Sequence, residues 1–198
     1  MPGMLISAVV LAAGASTRME RNKLLLPFGG EPLVRHTVRQ VIDAGFDEVL
    51  VVLGFEHGKI AAALEGLACR SAINPDYATG MGSSFRTAVG ALGSSDAAMF
   101  ALADQPFLTA RDYRRLPEAR RAHQPGIVCV KYGEVTAPPH LFDREFFPEL
   151  AALEHGARPV LQRHRDRTVV LQFDEALLVD IDTPEDYDRA IARLSAGR

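Results

Sequence analysis

The sequence lacks the features that mark several large classes of protein. It has only two cysteines, Cys69 and Cys129, and their separation matches no zinc-binding or redox spacing. We therefore expect unpaired thiols and a cytoplasmic location. No apolar run reaches membrane-spanning length, and no charged segment precedes one near the N-terminus, so we predict neither a leader nor a membrane anchor. The formal net charge of −3 argues against a general binder of nucleic acid or membrane surfaces.

Familiar catalytic and nucleotide-binding motifs are also missing. A P-loop and a dinucleotide fold both need a second glycine soon after the first, but the next glycine after Gly14 is Gly29. No G-x-S-x-G elbow is present, so covalent acyl chemistry has no support. The histidines form no metal-binding spacing, and we expect four of them at the surface: His36, His57, His123 and His155.

The chain does contain apolar runs that alternate with helical patterns. Strands that are apolar throughout and separated by helices predict a doubly wound, mostly parallel α/β sheet, in one domain over 1–198. The predicted strands are Leu5–Leu11, Val49–Leu53, Arg70–Ile73, Ala97–Ala103, Gly126–Val130, Thr168–Phe173 and Leu177–Ile181. The predicted helices are Pro32–Ala44, His57–Leu64, Ser83–Leu92 and Thr109–His123.

The first strand ends in a small-residue loop, Leu11–Met19 (LAAGASTRM), which includes Ala12, Ala13, Gly14 and Thr17. Small side chains let a polyanion approach the backbone N–H groups. Arg18 and Lys23 then add positive charge where a triphosphate would lie. The segment predicts a nucleotide-phosphate site, although an ordinary turn with an exposed Arg and Lys is the alternative.

Carboxylates follow two other predicted strands. Asp104 ends one strand and Asp182 ends another, and ligands of open parallel sheets bind at these carboxyl ends. Two carboxylates beside phosphate-binding cations suggest Mg²⁺. Asp104 could instead form a turn before Pro106, and Asp180, which alternates to the other side, is the weaker candidate. Thr183 fits the N-cap of a helix that starts at the next residue.

A glycine-rich loop precedes the third predicted helix. Gly80, Ser83 and Ser84 give a backbone that can approach a base or ribose, with hydroxyl groups as donors. Ser83 also fits the N-cap of that helix.

Taken together, these motifs resemble the nucleotidyltransferases that build molybdenum dinucleotide cofactors, especially the cytidylyltransferases. The resemblance implies a three-layer, Rossmann-like α/β/α fold and transfer of CMP from CTP to the phosphate of molybdopterin, with loss of pyrophosphate. It implies that a nucleotide-binding half (about 1–108) precedes an acceptor-binding half (about 109–198). The motifs that carry it are Leu11–Lys23, Asn74–Ser84, Leu102–Pro106 and Asp180–Asp186.

The resemblance also implies residue roles. The base and ribose would be contacted by Leu11, Ala12, Ala13 and Gly14, and the triphosphate would be held by Arg18 and Lys23. Beside the nucleotide would lie Gly80, Ser83 and Ser84. The Mg²⁺ ion would be held by Asp104 and Asp182. Ala13 favours the cytidylyl branch, because guanylyltransferases of this group usually carry glycine there. A guanylyltransferase, or a transferase acting on a sugar or polyol phosphate, is the alternative enzyme.

One departure concerns the acceptor. The cytidylyltransferases commonly carry Gly-His-Pro in the segment that faces the pterin, and the matching stretch here is Ala137-Pro138-Pro139. Proline removes a backbone donor and an imidazole from that position. Arg158, Arg163 and Arg165 are more typical of a solvated helix face than of an anion site.

The resemblance also allows transient contact with a client molybdoenzyme. A non-catalytic nucleotide-binding chaperone is a third alternative.

Overall fold

A computed structural model describes residues 3–16, 18–19 and 21–196, and Thr17 of the first loop lies outside them. An eight-stranded sheet runs in the order β10-β7-β9-β6-β1-β4-β5, with β8 paired to β7. The pairs β1–β4, β1–β6, β4–β5 and β10–β7 are parallel, whereas β9 is antiparallel to both of its neighbours. The predicted mostly parallel sheet is therefore confirmed, with β9 inserted antiparallel within it and the short β8 antiparallel to β7.

The strands and helices have the following bounds. The strands are β1 (Ile6–Ala12), β2 (Pro27–Phe28), β3 (Glu31–Pro32), β4 (Glu48–Leu53), β5 (Arg70–Ile73), β6 (Ala97–Leu102), β7 (Ile127–Tyr132), β8 (Val135–Thr136), β9 (His140–Asp143) and β10 (Thr168–Phe173). The helices are α1 (Leu33–Asp43), α2 (His57–Ala63), α3 (Met81–Ala91), α4 (Ala110–His123), α5 (Phe147–Ala151), α6 (Arg158–Arg163) and α7 (Pro184–Ala196).

Both faces of the sheet are covered, which explains why its central strands are apolar throughout. Successive residues of β1 point to opposite faces, so Ala8 and Val10 join a core with α1, α2, α4 and α7. Val9 and Leu11 join a second core with α3, α5 and α6. The result is the three-layer α/β/α architecture that the resemblance implies.

Several sequence predictions differ from the structure. The segment 177–181 is not a strand: a 3₁₀ turn covers Glu175–Leu177, and the following residues pair with no strand of the described sheet. Helix α3 begins at Met81 after Gly80, so Ser83 lies in its first turn and is not its N-cap. His36 is half-buried, because its ring packs against Phe28 and its Nε2 lies 3.1 Å from the Pro106 carbonyl oxygen.

Two further predictions concern the thiols and the membrane. Cys129 is buried and Cys69 is half-buried, and both are free. Within residues 3–196, apart from the two gaps, no helix is both long and apolar enough to cross a bilayer.

Candidate functional site

A cleft of about 470 Å³ lies at the carboxyl ends of β1 and β6. Parallel strands present their carboxyl ends at one edge of the sheet, where ligands of such folds bind. The predicted site residues that line the cleft are Leu11, Ala12, Ala13, Gly14, Arg18, Lys23, Gly80, Ser84, Asp104 and Asp182. The structure thus brings together segments that are far apart in the chain.

The loop after β1 is held against the end of β4. The Phe55 N–H donates to the Ala13 carbonyl oxygen at 3.2 Å. A Cβ on Gly54 would lie 2.6 Å from that oxygen and 2.6 Å from the Cβ of Tyr77. Only glycine permits this close approach, so Gly54 fixes where the first loop sits.

The same loop is open toward the cleft. A Cβ on Gly14 would meet nothing within 4 Å, so there is room above the backbone for a ligand. Farther along, Ser16 adopts a φ of 50°, a left-handed conformation that turns the chain. Its hydroxyl accepts from the Lys23 backbone N–H at 3.2 Å, which ties the loop to the short 3₁₀ turn at Lys23–Leu25.

The charged groups of the cleft form one cluster. Lys23 Nζ donates to Asp104 Oδ2 at 2.5 Å and to Asp182 Oδ1 at 2.8 Å. Arg18 lies 2.7 Å from the other oxygen of Asp182. The Arg18 side chain is 64% exposed, whereas only 13% of the Lys23 side chain is exposed. Lys23 is therefore a half-buried counter-ion of the two carboxylates rather than a free cation on a loop.

These contacts shift two pKa values. Burial lowers the pKa of Lys23, but the attraction of Asp104 and Asp182 outweighs burial and holds that pKa above its ordinary value. Burial raises the pKa of Asp182, but Lys23 and Arg18 outweigh it and hold the pKa below its usual range. Lys23 and Asp182 are therefore both charged at neutral pH.

The loop before α3 is organised by a buried asparagine. Asn74, which is 1% exposed, donates through Nδ2 to Ser83 Oγ at 2.8 Å and to Ser84 Oγ at 3.1 Å. Ser83 Oγ donates in turn to the Gly80 carbonyl oxygen at 2.7 Å. Ser84 lines the cleft, whereas Ser83 is not among the lining residues and supports the loop instead.

Other lining residues were not predicted from the sequence. Tyr77 and Met81 line the cleft, together with Ser16, Leu24 and Leu102. Asp180 lines the cleft as well, although the sequence analysis made it a weaker candidate for a metal ligand than Asp182. Its carboxylate accepts from Gln105 Nε2 at 2.9 Å, a contact between residues 75 positions apart that no local pattern reveals.

A second cavity of about 250 Å³ adjoins the cleft. The two share the lining residues Leu11, Met81 and Leu102. The rest of the wall is largely apolar: Phe85, Phe100, Thr136, Pro138, His140, Phe142, Gly156, Ala157, Arg158 and Leu161. Of the three arginines singled out in the sequence, only Arg158 lines it, while Arg163 pairs with Glu149.

His140, which begins β9, supplies the imidazole of this cavity. It is 5% exposed, and its Nδ1 accepts from the Val130 backbone N–H at 3.3 Å. Burial lowers the pKa of His140 to about 4, so the ring is neutral at physiological pH. The family's Gly-His-Pro stretch would place a histidine where this chain has Pro138. His140, two residues later, supplies an imidazole to the cavity instead.

Residues 8–168 match the family described as the MobA-like NTP transferase domain. The chain belongs to this family. The matched range contains the first loop, the loop before α3 and Asp104, but ends before Asp182. The chain is accordingly an enzyme of the nucleotidyltransferase class.

Individual relatives match nearly the whole length of the chain. The chain is 30% identical to nicotine blue oxidoreductase from Paenarthrobacter nicotinovorans, over 94% of this chain and 96% of that protein. It is also similar to the structure of a nucleotidyl transferase from Methanothermobacter thermautotroptrophicus, with a TM-score of 0.86 and 26% identity over 99% of this chain and 100% of that one.

A third similar structure bears on metal binding. Rv0371C from Mycobacterium tuberculosis H37Rv, described as a complex with manganese, has a TM-score of 0.82 and 28% identity, over 96% of this chain and 99% of that chain. Here, no group of three or more His, Cys, Asp or Glu side chains forms a metal cage within the described residues. A metal would therefore need oxygen ligands from substrate or water in addition to protein carboxylates.

Proposed function

We propose that the protein transfers CMP from CTP to the phosphate of molybdopterin and releases pyrophosphate. The observation that carries this proposal is the convergence of Arg18, Lys23, Asp104 and Asp182 in one cleft at the carboxyl ends of the strands. Two cations and two carboxylates suit a triphosphate that arrives with a divalent cation.

The reaction needs positioning and charge neutralisation more than proton transfer. An oxygen of the acceptor phosphate attacks the α-phosphorus of CTP, and the bond to the bridging oxygen of the β-phosphate breaks as pyrophosphate leaves. The acceptor phosphate is already ionised at neutral pH, so no general base is required. Arg18 and Lys23 would stabilise the charge on the triphosphate, and Gly14 leaves its backbone accessible to the phosphates.

Asp104 and Asp182 are the residues that would hold Mg²⁺. Their oxygens converge on a single positive atom, Lys23 Nζ, so they already form a site for a cation. When bound, the metal ion neutralises phosphate charge and orients the phosphate oxygens. Lys23 would then leave the carboxylates, and its ammonium group becomes available to the triphosphate.

The adjoining cavity supports molybdopterin over a sugar or polyol phosphate. Its wall of phenylalanine and leucine side chains gives few partners to a polyol, which carries a hydroxyl group on almost every carbon. A planar heterocycle buries its faces against such a wall and needs polar groups only at its edge. Thr136, His140 and Arg158 are the polar side chains of the lining that could bind such an edge. We therefore assign acceptor binding to this cavity.

The choice of CTP over GTP rests on the resemblance of the first loop to the cytidylyl branch, with Ala13 in place of glycine. The free state of Cys69 and Cys129 supports a reducing cytoplasm as the site of the reaction.

Pyrophosphate release, measured with each of the four NTPs and with molybdenum-loaded molybdopterin present or absent, tests the proposal. We expect release that requires molybdopterin, is fastest with CTP, and is lost in Asp104→Asn. Faster release with GTP would overturn the cytidylyl assignment, and release with a sugar phosphate would overturn the acceptor. Binding of CTP without any release would favour the chaperone. Oxidation or reduction of nicotine blue, without pyrophosphate release, would instead place the chain with the relative named as an oxidoreductase.

A further inference from the structure

The segment that carries Asp182 has no strand to hold it. It follows the 3₁₀ turn at Glu175–Leu177 and is absent from the ladders of the described sheet. Two contacts tie it to the end of β6. The Ile181 N–H donates to the Asp104 carbonyl oxygen at 3.2 Å, and Gln105 Nε2 donates to Asp180 Oδ1 at 2.9 Å.

Gln105 is an unusual residue for this place. It is 1% exposed, and its Oε1 is buried without a hydrogen-bond partner among the described residues. Leaving a buried acceptor unpaired destabilises the folded state, because the oxygen has lost its hydrogen bonds to water and gained none in the protein. An apolar side chain of similar size would avoid that destabilisation. The glutamine is therefore explained by the one hydrogen bond that its side chain makes, to Asp180.

Asp180 is placed to receive that contact rather than to bind a metal. Asp104, Asp180 and Asp182 do not together form a three-ligand group in the described structure, although all three line the cleft. The Asp180 carboxylate instead accepts from Gln105, the residue next to Asp104 in the chain. This hydrogen bond therefore joins the residue after Asp104 to a residue two positions before Asp182, the two carboxylates that would hold the metal.

We propose that Gln105 and Asp180 are positioning residues that set the spacing between Asp104 and Asp182, and that the site requires their hydrogen bond rather than the charge of Asp180. This inference rests on the proposed function, in which those two carboxylates bind Mg²⁺ with the nucleotide. Residues that orient metal ligands typically change metal affinity or activity by about 10- to 100-fold when replaced.

Three variants separate the bond from the charge. Gln105→Leu removes the donor, Asp180→Ala removes the acceptor, and Asp180→Asn removes the charge but keeps an acceptor for Gln105 Nε2. The asparagine amide also offers a donor to the unpaired Gln105 Oε1. Asp188→Ala, which removes an exposed carboxylate from α7, is the matched control.

The first measurement is the Mg²⁺ dependence of pyrophosphate release at saturating CTP and acceptor. We expect half-saturating Mg²⁺ to rise about tenfold or more in Gln105→Leu and Asp180→Ala, and to stay within about twofold of the parent in Asp180→Asn and Asp188→Ala. A change in half-saturating Mg²⁺ with an unchanged melting temperature identifies positioning rather than general loss of structure.

Hydrogen exchange supplies a readout that does not depend on activity. We expect faster amide exchange in peptides covering 178–186 for Gln105→Leu and Asp180→Ala, but not for Asp180→Asn. Parent-like exchange and Mg²⁺ dependence in Asp180→Ala would overturn the inference. Equal defects in Asp180→Asn and Asp180→Ala would show that charge, not the bond, is required. If the parent releases no pyrophosphate with any NTP, the proposed function fails, while hydrogen exchange still tests the bond.

Discussion

Replacing Lys23 with methionine tests whether its ammonium group occupies the position between Asp104 and Asp182 that Mg²⁺ would take. The Nζ atom bridges Asp104 and Asp182 at 2.5 and 2.8 Å, so Lys23→Met leaves two neighbouring carboxylates without the charge between them. Removing one partner of a fully buried pair costs about 3–5 kcal/mol. The side chains here keep 13–36% of their exposure, and Arg18 still contacts Asp182, so we expect a loss of about 1–2 kcal/mol in the free energy of unfolding.

Magnesium should reverse that loss in the variant only. In the parent, Mg²⁺ alone must displace Lys23 before it can bind, whereas in Lys23→Met the carboxylates are free. With a dissociation constant of about 1 mM, roughly 10 mM Mg²⁺ would stabilise the variant by about 1.4 kcal/mol. Urea unfolding with and without Mg²⁺ measures this difference.

The same substitution should also lower the activity. Because the ammonium group would contact the triphosphate in the transition state, we expect kcat/KM for CTP to fall about 30-fold in Lys23→Met, equivalent to about 2 kcal/mol. Lys59→Met, which removes an exposed lysine paired with Glu56, is the control. Equal stabilisation of parent and Lys23→Met by Mg²⁺ would refute the idea that Lys23 occupies the cation site. An unchanged kcat/KM would refute its contact with the triphosphate.

Four further predictions concern the cleft and its surroundings. Asp104→Asn and Asp182→Asn should each abolish pyrophosphate release while the fold is retained, because asparagine lacks the charge that Mg²⁺ requires; Mg²⁺ titrations matching the parent would contradict this. Gly54→Ala should raise the KM for CTP several-fold, since its Cβ would force the Ala13 carbonyl away. Ala13→Gly should raise GTP use only in part, because one methyl group changes discrimination by roughly 1–3 kcal/mol; competition between CTP and GTP measures it. His140 has a folded-state pKa of about 4, so the unfolded chain takes up its proton first as pH falls. Between pH 7 and 4.5 the parent should therefore lose about 2 kcal/mol more unfolding free energy than His140→Phe.

The central strands could be predicted from the sequence because burial on both faces leaves a continuous apolar signature. β1 and β6 show it, and the glycine-bearing loop after β1 together with Asp104 after β6 then identifies the cleft. The segment 177–181 is apolar too, but it packs under α7 without joining the sheet, and composition alone cannot distinguish the two. β9 escaped prediction because its four residues, after Pro138 and Pro139, show no clear alternation.

The site itself could be predicted as a set of residues but not as a set of contacts. Lys23 is 81 positions from Asp104 and 159 from Asp182, so their ion pairs are set only by the packing of distant segments. Gln105 illustrates the same limit. A buried glutamine after a strand end looks like any loop residue until Asp180 is seen beside it.

The insertion of β9 between β6 and β7 has a consequence for how the enzyme would keep water from its nucleotide. Many transferases close one lobe over another. Here His140 is paired in register with Phe100 of β6, the strand that leads to Asp104. The cavity proposed for the acceptor and the cleft proposed for the triphosphate are therefore built on one hydrogen-bonded sheet. Rigid closure between them would break that ladder. In the proposed reaction, the acceptor would therefore displace water from the α-phosphate as it binds in the adjoining cavity. An enzyme built in this way should show a background hydrolysis of its nucleotide when the acceptor is scarce, far slower than acceptor-dependent release, because water can then reach the α-phosphate.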